Sequence, residues 1–262
     1  MRAGRLLLRV VPVPAALALW ELLARRAENI DYPPPSEIAS MARELWFSGP
    51  ASQLWLTEAA KADFPGSVAR LLAAWAAAGL VGTVLGVALG RSARLYGYVR
   101  PLIHFGYAIP PIMLLPFFIA LFEGGAQMQL ATILFGIVWP VLLNATEGAR
   151  AVDRQYLDTA AAFRLSAGQR LGRVILPAAA PKIFAGMRIS LSLALILMVV
   201  SEMVGATSGI GFQLLQQQRN FNNAGLWSGV VLLGVLGLAL NTLFQLTERR
   251  VLAWHRGAGG VS

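Results

Sequence analysis

The side chains of this sequence that could do chemistry are few, and their spacing does not suggest catalysis. The chain has no cysteine and only two histidines, so few metal sites could be built from it. His104 has no acid or second histidine near it in the sequence. The patterns GxxxxGK[ST], HExxH and GxSxG do not occur, and neither lysine follows a glycine. We therefore predict a chain that is not an enzyme, binds no metal or cofactor and cannot hydrolyse ATP itself.

One acid, Glu202, stands inside the apolar run LILMVVSEMVGA. A charged side chain in a membrane is costly, so such residues often line the path of a substrate or ion. Two interpretations stay open: Glu202 lines a pathway, or it reaches water near the outer end of its helix. Arg188, near the inner end of the same run, is expected to extend to the membrane interface.

The composition predicts an all-α integral membrane protein. Of 262 residues, 56% are hydrophobic and 13% are charged, whereas a soluble domain carries about 25% charged residues. The N-terminal apolar run is interrupted by Arg9 and Pro12 and has no clear cleavage site, so we predict an uncleaved span, not a signal peptide. Six transmembrane helices are predicted, at about 6–23, 71–90, 101–122, 128–144, 183–204 and 226–246.

These spans predict a simple organisation along the chain. It consists of an N-terminal span (1–26), an extracytoplasmic amphipathic segment (27–69), a five-helix membrane core (70–246) with a long loop (147–182), and a cytoplasmic tail (247–262). Within the second segment, the stretch 36–48 is expected to lie along the membrane surface through Ile38, Met41, Leu45 and Trp46. A plain extramembrane loop is the alternative.

The distribution of basic residues predicts the orientation. The net charge is +9, and only two of the 22 basic residues are lysines. Most lie at the two ends of the chain and in the loops 91–100 and 147–182, which are therefore predicted to be cytoplasmic, together with both termini. Arg25 and Arg26 lie on the wrong side in this assignment. Nucleic-acid binding is excluded because no soluble domain is available to carry a basic face.

Two of the predicted spans have features that bear on mechanism. The second contains Gly82, Gly86 and Gly90, a small-residue face that lets another helix approach closely. The third contains three prolines, which remove backbone donors and bend the helix. A bent helix in a membrane can line a cavity, although a structural kink in a helix bundle is the alternative. The predicted pathway residues are Pro110, Pro111, Met113, Pro116, Met198 and Glu202.

The loop 147–182 is predicted to form two short helices. Residues 153–163 are rich in alanine and contain no glycine, and Ser166 with Gln169 forms a capping-box pattern for the second helix. Pro177 and Pro181 are expected to stop that helix before the next span. A small apolar face with charged neighbours could dock in a groove of a partner protein, or the helix could lie on anionic lipid.

This loop resembles the EAA motif of the membrane-spanning permease subunits of bacterial ABC importers, which is E-A-A, a glycine four residues later and then I-x-L-P. Counting back from Pro177, which ends VILP, Asp158 takes the glutamate position and Thr159 and Ala160 the alanine positions. Arg164 takes the glycine position. Because arginine replaces glycine there, the backbone is expected not to need an unusual φ.

Other stretches resemble the sulfonate, taurine and nitrate permease group: residues 100–150 and 201–214, PPPSE at 33–37 and ERRVLAW at 248–254. The resemblance implies a bacterial inner-membrane location, a second copy of the permease, two cytoplasmic subunits that bind ATP and Mg, and an extracytoplasmic solute-binding protein, with membrane lipid around them. It also implies a coupling helix at about 158–165 that contacts the ATPase. The implied coupling residues are Asp158, Thr159, Ala160, Ala161, Phe163, Arg164, Leu165 and Pro177.

The function implied by this resemblance is ATP-driven import of a small organic anion such as an alkanesulfonate or taurine. Nitrate, an aromatic acid or a pyrimidine cofactor precursor are alternatives within the same group. A gradient-driven secondary carrier is a rival from another class, and it should show midplane carboxylates and an inverted repeat. A non-transporting scaffold is a second rival, against which the proline-rich third span argues.

Overall fold

The computed structural model of the chain describes residues 11–27 and 29–254, and over these residues it contains helices and turns but no strand. The all-α prediction is confirmed. Three short turns accompany the α-helices: 3₁₀ turns at Ala51–Gln53 and Pro111–Leu114 and a π turn at Leu171–Ile175. The α-helices are α1 Pro12–Ala27, α2 Pro35–Trp46, α3 Glu58–Arg91, α4 Ala93–Ala108, α5 Leu115–Phe122, α6 Gly125–Arg150, α7 Arg154–Ala162, α8 Ala167–Arg170, α9 Leu176–Gly205, α10 Ile210–Arg219 and α11 Asn223–Val251.

Fewer helices qualify as spans than the six that the sequence predicts. In the described residues, four helical stretches are long and apolar enough to cross a membrane, and they contain α3, α6, α9 and α11. The predicted third span is divided into α4 and the segment Pro111–Phe122, which meet at 83° and would make a fifth span if counted together. The predicted first span is covered only in part, by α1, because residues 1–10 lie outside the described part of the chain.

The helices form two compact units. The first comprises the described residues up to Gly66 together with Ser208–Val235, and the second comprises Ser67–Thr207 together with the described residues from Leu236 onward. Both α3 and α11 contribute to each unit.

In the first unit, α2 is a helix whose apolar face packs on protein. Ile38 and Trp46 are buried, and the Trp46 ring lies 5.0 Å from that of Phe64 on α3. Ile38 and Trp46 therefore pack on protein, contrary to the expectation that they lie on the membrane surface, and the stretch is a helix and not an irregular loop. In the same unit, the Asp63 carboxylate accepts hydrogen bonds from Gly209 N at 2.6 Å and Gln213 Nε2 at 2.7 Å, which connects α3 to the start of α10.

In the second unit, the core lies between α6 and α9, where Ile133, Ile137 and Met198 are fully buried. The glycine face predicted for the second span packs α3 against α6. A Cβ added at Gly86 would lie 2.6 Å from the Leu142 carbonyl oxygen, so only glycine permits this approach.

The break in the predicted third span follows from its prolines. Ile109 has an extended backbone (φ −74°, ψ 119°), as expected for a residue before proline. Pro110 and Pro111 then start the 3₁₀ turn, where a missing N–H is tolerated. Pro111 lies beside Gly136 of α6, since a Cβ added at Gly136 would contact both Pro111 and Leu197 of α9.

Candidate coupling surface and pathway

The helix that the loop presents, α7, has Asp153 as its N-cap residue. The Asp153 carboxylate accepts a hydrogen bond from Gln155 N at 2.9 Å and caps the helix. The helix covers Arg154–Ala162, so it begins four residues before the coupling helix expected at 158–165 and ends three residues before its end. The predicted helix at 153–163 is confirmed.

The end of α7 corrects the expectation made for Arg164. Its φ is 53°, in the left-handed region, so this arginine has the backbone that the family's glycine would supply. Arg164 N donates to Ala161 O at 2.9 Å and Leu165 N donates to Ala160 O at 3.0 Å. These two bonds form a Schellman motif, which satisfies the last carbonyls of the helix. The turn therefore lies at the position that the resemblance gives to the glycine.

The second short helix starts as predicted but does not stop as predicted. The Ser166 hydroxyl accepts from Gln169 N at 3.3 Å, and the Gln169 side chain accepts from Ser166 N at 2.9 Å, which completes a capping box. The chain then stays helical from Ala167 to Gly205. Pro177 follows the π turn Leu171–Ile175 at the start of α9, and Pro181 lies within that helix, and neither ends it.

Beneath α7 lies a mostly apolar cavity of about 760 Å³, between the helix and the start of α9. Five of the predicted coupling residues line it: Thr159, Ala160, Phe163, Leu165 and Pro177. Ala160 is only 3% exposed, because it faces its own chain. Asp158, Ala161 and Arg164 are exposed and do not line the cavity. The predicted coupling residues thus lie on two sides of α7: an inner side that lines the cavity, and an outer side that includes Asp158 and Ala161.

Sequence reasoning missed eight of the residues that line this cavity, among them Tyr156, Arg173, Val174 and Trp254. Tyr156 could have been found, since it lies three and four residues before Thr159 and Ala160 and therefore shares their helix face. Trp254 gave no local signal, because it reaches the cavity from after the end of α11.

The predicted pathway residues do not converge on one cavity. Met198 and Glu202 are fully buried inside the second unit, and Pro111 lies against α6 and α9 through Gly136. Pro110 and Pro116 are exposed, and Met113 is 76% exposed.

Glu202 forms a buried ion pair. Its Oε1 lies 2.6 Å from Nη2 of Arg70, and the two side chains are 0% and 18% exposed. The same Nη2 lies 3.5 Å from the Ser67 hydroxyl. The interpretation that Glu202 reaches water at a helix end is therefore wrong. Sequence reasoning missed Arg70, which lies 132 residues before Glu202 in the chain.

Arg188 has a protein partner as well. It forms an ion pair with Glu248 of α11, so it does not simply extend to the interface. Among the residues that the structure describes, no group of three or more His, Cys, Asp or Glu side chains is placed to hold a metal ion.

Comparisons with known proteins agree with this architecture. The family described as binding-protein-dependent transport system inner membrane component matches residues 79–253. The chain is 29% identical to the aliphatic sulfonates transport permease protein SsuC of Bacillus subtilis, over 69% of this chain and 65% of that protein, just under two thirds of its length. It is also 29% identical to the taurine transport system permease protein TauC of Escherichia coli, over 85% and 80% of the two chains.

Two further proteins are similar to this chain, one by sequence and one by structure. The nitrate import permease protein NrtB of Synechocystis is 25% identical over 92% of this chain and 88% of that protein. Among solved structures, an inward-facing conformation of the MetNI methionine ABC transporter matches with a TM-score of 0.60 and 20% identity, over 71% of this chain and 94% of the matched chain. This last similarity supports the fold alone.

Proposed function

Because this chain belongs to the family of binding-protein-dependent transport system inner membrane components, we propose that α7 is the helix on which a cytoplasmic ATPase subunit docks. The chain is a non-catalytic permease subunit of an ABC importer, so the energy for transport comes from a separate subunit. The observation that carries the proposal is the outer side of α7. Asp158 and Ala161 are exposed there, and Phe163, 77% exposed, follows at the C-terminal end.

The geometry around α7 explains how docking would act on the membrane core. The Schellman motif and the Asp153 cap fix both ends of the helix. Behind it, Leu157 packs on a cluster that includes Ile175 of the π turn. The π turn continues directly into α9, which carries Met198 and Glu202. A push on α7 therefore reaches the buried part of the core through one continuous helix.

The assembly follows from the same proposal. Two copies of the chain pair in the bacterial inner membrane, with both termini in the cytoplasm. Two cytoplasmic ATP-binding subunits hold ATP and Mg, and an extracytoplasmic binding protein delivers the solute. The multi-pass membrane character is supported by four long apolar helices in the described residues.

For the solute, the proposal is a small anion of the alkanesulfonate or taurine class. Relatives named for sulfonate, taurine and nitrate transport support this class. The described pathway residues are mostly apolar, which fits a system in which the binding protein supplies most of the selectivity. Exchanging the binding protein should therefore change the transported solute, and an unchanged solute in uptake assays would argue against this division of labour.

The docking proposal can be tested by crosslinking, since the chain has no cysteine. Ala161→Cys places a single thiol on the outer side of α7. Ala126→Cys is the matched control, because it lies exposed at the other end of α6, about 36 Å from Arg150 along the helix axis. In native membranes, the first variant should capture an ATPase subunit and the second should not.

Each outcome of the crosslinking experiment decides something. An ATPase captured through Ala161→Cys alone supports docking on α7. Capture of the ATPase by both variants would show that crosslinking does not depend on where the thiol lies, and it would not support docking on α7. If membrane lipid shields the thiol of Ala161→Cys from the crosslinker and no ATPase is captured, docking on α7 is contradicted. That result would favour a helix that lies on the membrane.

A further inference from the structure

An apolar groove opens on the surface of the second unit between α3, α4 and α6. Its volume is about 380 Å³, and every side chain that lines it is aliphatic or aromatic. Its main lining residues are Leu85, Ala88, Val99, Leu102, Trp139 and Leu142.

A second, polar cavity of about 440 Å³ lies on two of the same helices and is lined by Tyr96, Arg100, Glu147 and Arg150. The Arg150 guanidinium stacks on the Tyr96 ring at 4.4 Å, which fixes its plane. The carboxylate of Glu147 lies 3.7 Å from Lys182 Nζ, so its charge is already offset. The arginines therefore leave this cavity with a positive charge.

The residues that line the groove and those that line the polar cavity are close in sequence on both helices that they share, α4 and α6. On α4, Tyr96 and Arg100 are each next in sequence to a groove residue, Leu95 and Val99. On α6, Arg150 follows Leu142 of the groove by eight residues, about 12 Å along the axis. The interfacial layer of one leaflet is about 5–8 Å thick, so this separation along α6 is long enough to hold a headgroup apart from its acyl chain.

We propose that the groove and the polar cavity together bind one phospholipid with an anionic headgroup. The apolar groove holds an acyl chain, and Arg100 and Arg150 hold the phosphate. Charge complementarity selects this occupant. Arginine binds phosphate through paired N–H donors, and the apolar groove offers no hydrogen-bond partner to a free anion but can bury an acyl chain. On the topology of the proposed function, the lipid comes from the cytoplasmic leaflet.

The outer surface of α4 supports a lipid in this position. Tyr98, Leu102 and Phe105 are 83%, 68% and 69% exposed. Such a stripe of aromatic and aliphatic side chains is typical of a helix at the membrane interface, where tyrosine lies at headgroup level. The bound headgroup would also fix the C-terminal end of α6, three residues before the Asp153 cap of α7.

The proposal is tested on the intact purified transporter by native mass spectrometry, in micelles with equimolar phosphatidylglycerol and phosphatidylcholine. The wild type should retain phosphatidylglycerol over phosphatidylcholine by about tenfold or more, because two arginines face its anionic headgroup. The double variant Arg100→Gln/Arg150→Gln should lose this preference. Ala88→Phe, which fills the groove at an exposed position without changing charge, should lose the retained lipid as well.

The matched control is Arg249→Gln/Arg250→Gln, which removes the same charge from exposed positions outside the cavity and should retain the lipid. Equal retention of both lipids by the wild type would overturn the proposal, and so would equal loss in the control. If glycerol phosphate displaces the retained phosphatidylglycerol while Ala88→Phe does not reduce its retention, the site binds a free anion and the lipid assignment is wrong. None of these readouts depends on ATPase docking, so the proposal can fail independently of the proposed function.

Discussion

Replacing Glu202 by alanine while Arg70 is kept is expected to lower the free energy of unfolding by about 3–5 kcal/mol. The carboxylate is fully buried and lies 2.6 Å from the Arg70 guanidinium, which is itself only 18% exposed. Removing one partner leaves a desolvated charge without its counter-charge, and this cost exceeds the value of the pair itself. Chemical unfolding of the purified protein in mixed micelles, followed by tryptophan fluorescence, measures the loss.

Two variants make this result specific. Arg70→Met/Glu202→Leu replaces both charges by apolar side chains and should recover most of the stability, since buried ion pairs are often matched by apolar pairs of similar volume. Lys182→Gln removes one partner of a pair whose side chains are both more than half exposed, and it should cost less than about 1 kcal/mol. If Glu202→Ala costs no more than Lys182→Gln, the buried pair does not stabilise the fold.

The same double variant separates structure from transport. If it folds and still imports solute at the wild-type rate, Glu202 is a structural residue and its predicted place in the pathway is wrong. If it folds but imports slowly, the charge pair takes part in the passage of the anion. Uptake into proteoliposomes with the ATPase and binding protein present gives this readout.

Local sequence patterns predicted local structure well. The capping box at Ser166 and the alanine-rich α7 depend on residues within one or two turns, so the sequence alone was sufficient. The glycine face of α3 was also predictable, because Gly82, Gly86 and Gly90 repeat at one helix face. Apolar runs located the long helices but gave bounds that were too short, as α6 extends to Arg150 beyond its apolar run of 128–144.

Rules based on residue type alone failed at Pro181 and Arg164, where the surrounding structure stabilises a backbone that the residue type disfavours. Pro181 was expected to stop a helix, yet neighbouring helices in a membrane protein can compensate for the lost backbone donor. Arg164 was expected to avoid positive φ, yet the two bonds of the Schellman motif hold it there at a cost of about 1–2 kcal/mol.

Pairings between distant segments were beyond the sequence. Arg70 and Glu202 are 132 residues apart, and no periodic pattern connects them. Trp254 reaches the cavity beneath α7 from the far end of the described chain. A single sequence contains no signal for such contacts, because they depend on how α3, α9 and α11 pack.

Reversing the charge at Asp158 is expected to weaken ATPase docking by about 10- to 100-fold and to reduce solute uptake accordingly. Asp158 lies on the outer side of α7 and does not line the cavity beneath it, so the change affects a partner more than the fold. A misplaced charge in a docked interface costs several kcal/mol when it cannot be solvated, and each 1.4 kcal/mol is about a factor of ten in binding. Pull-down of the ATPase by Asp158→Arg membranes, with uptake measured in parallel, checks the prediction.

The appropriate comparison is with a variant that disturbs α7 itself. Asp153→Ala removes the N-cap and should cost about 1 kcal/mol of helix stability without placing a new charge at the interface. Asp158→Asn, which removes the charge and keeps the shape, should fall between the wild type and Asp158→Arg. If Asp153→Ala and Asp158→Arg impair docking equally, the partner responds only to the order of α7. If neither changes docking, the ATPase contacts another part of the loop, and the outer side of α7 must be assigned to lipid.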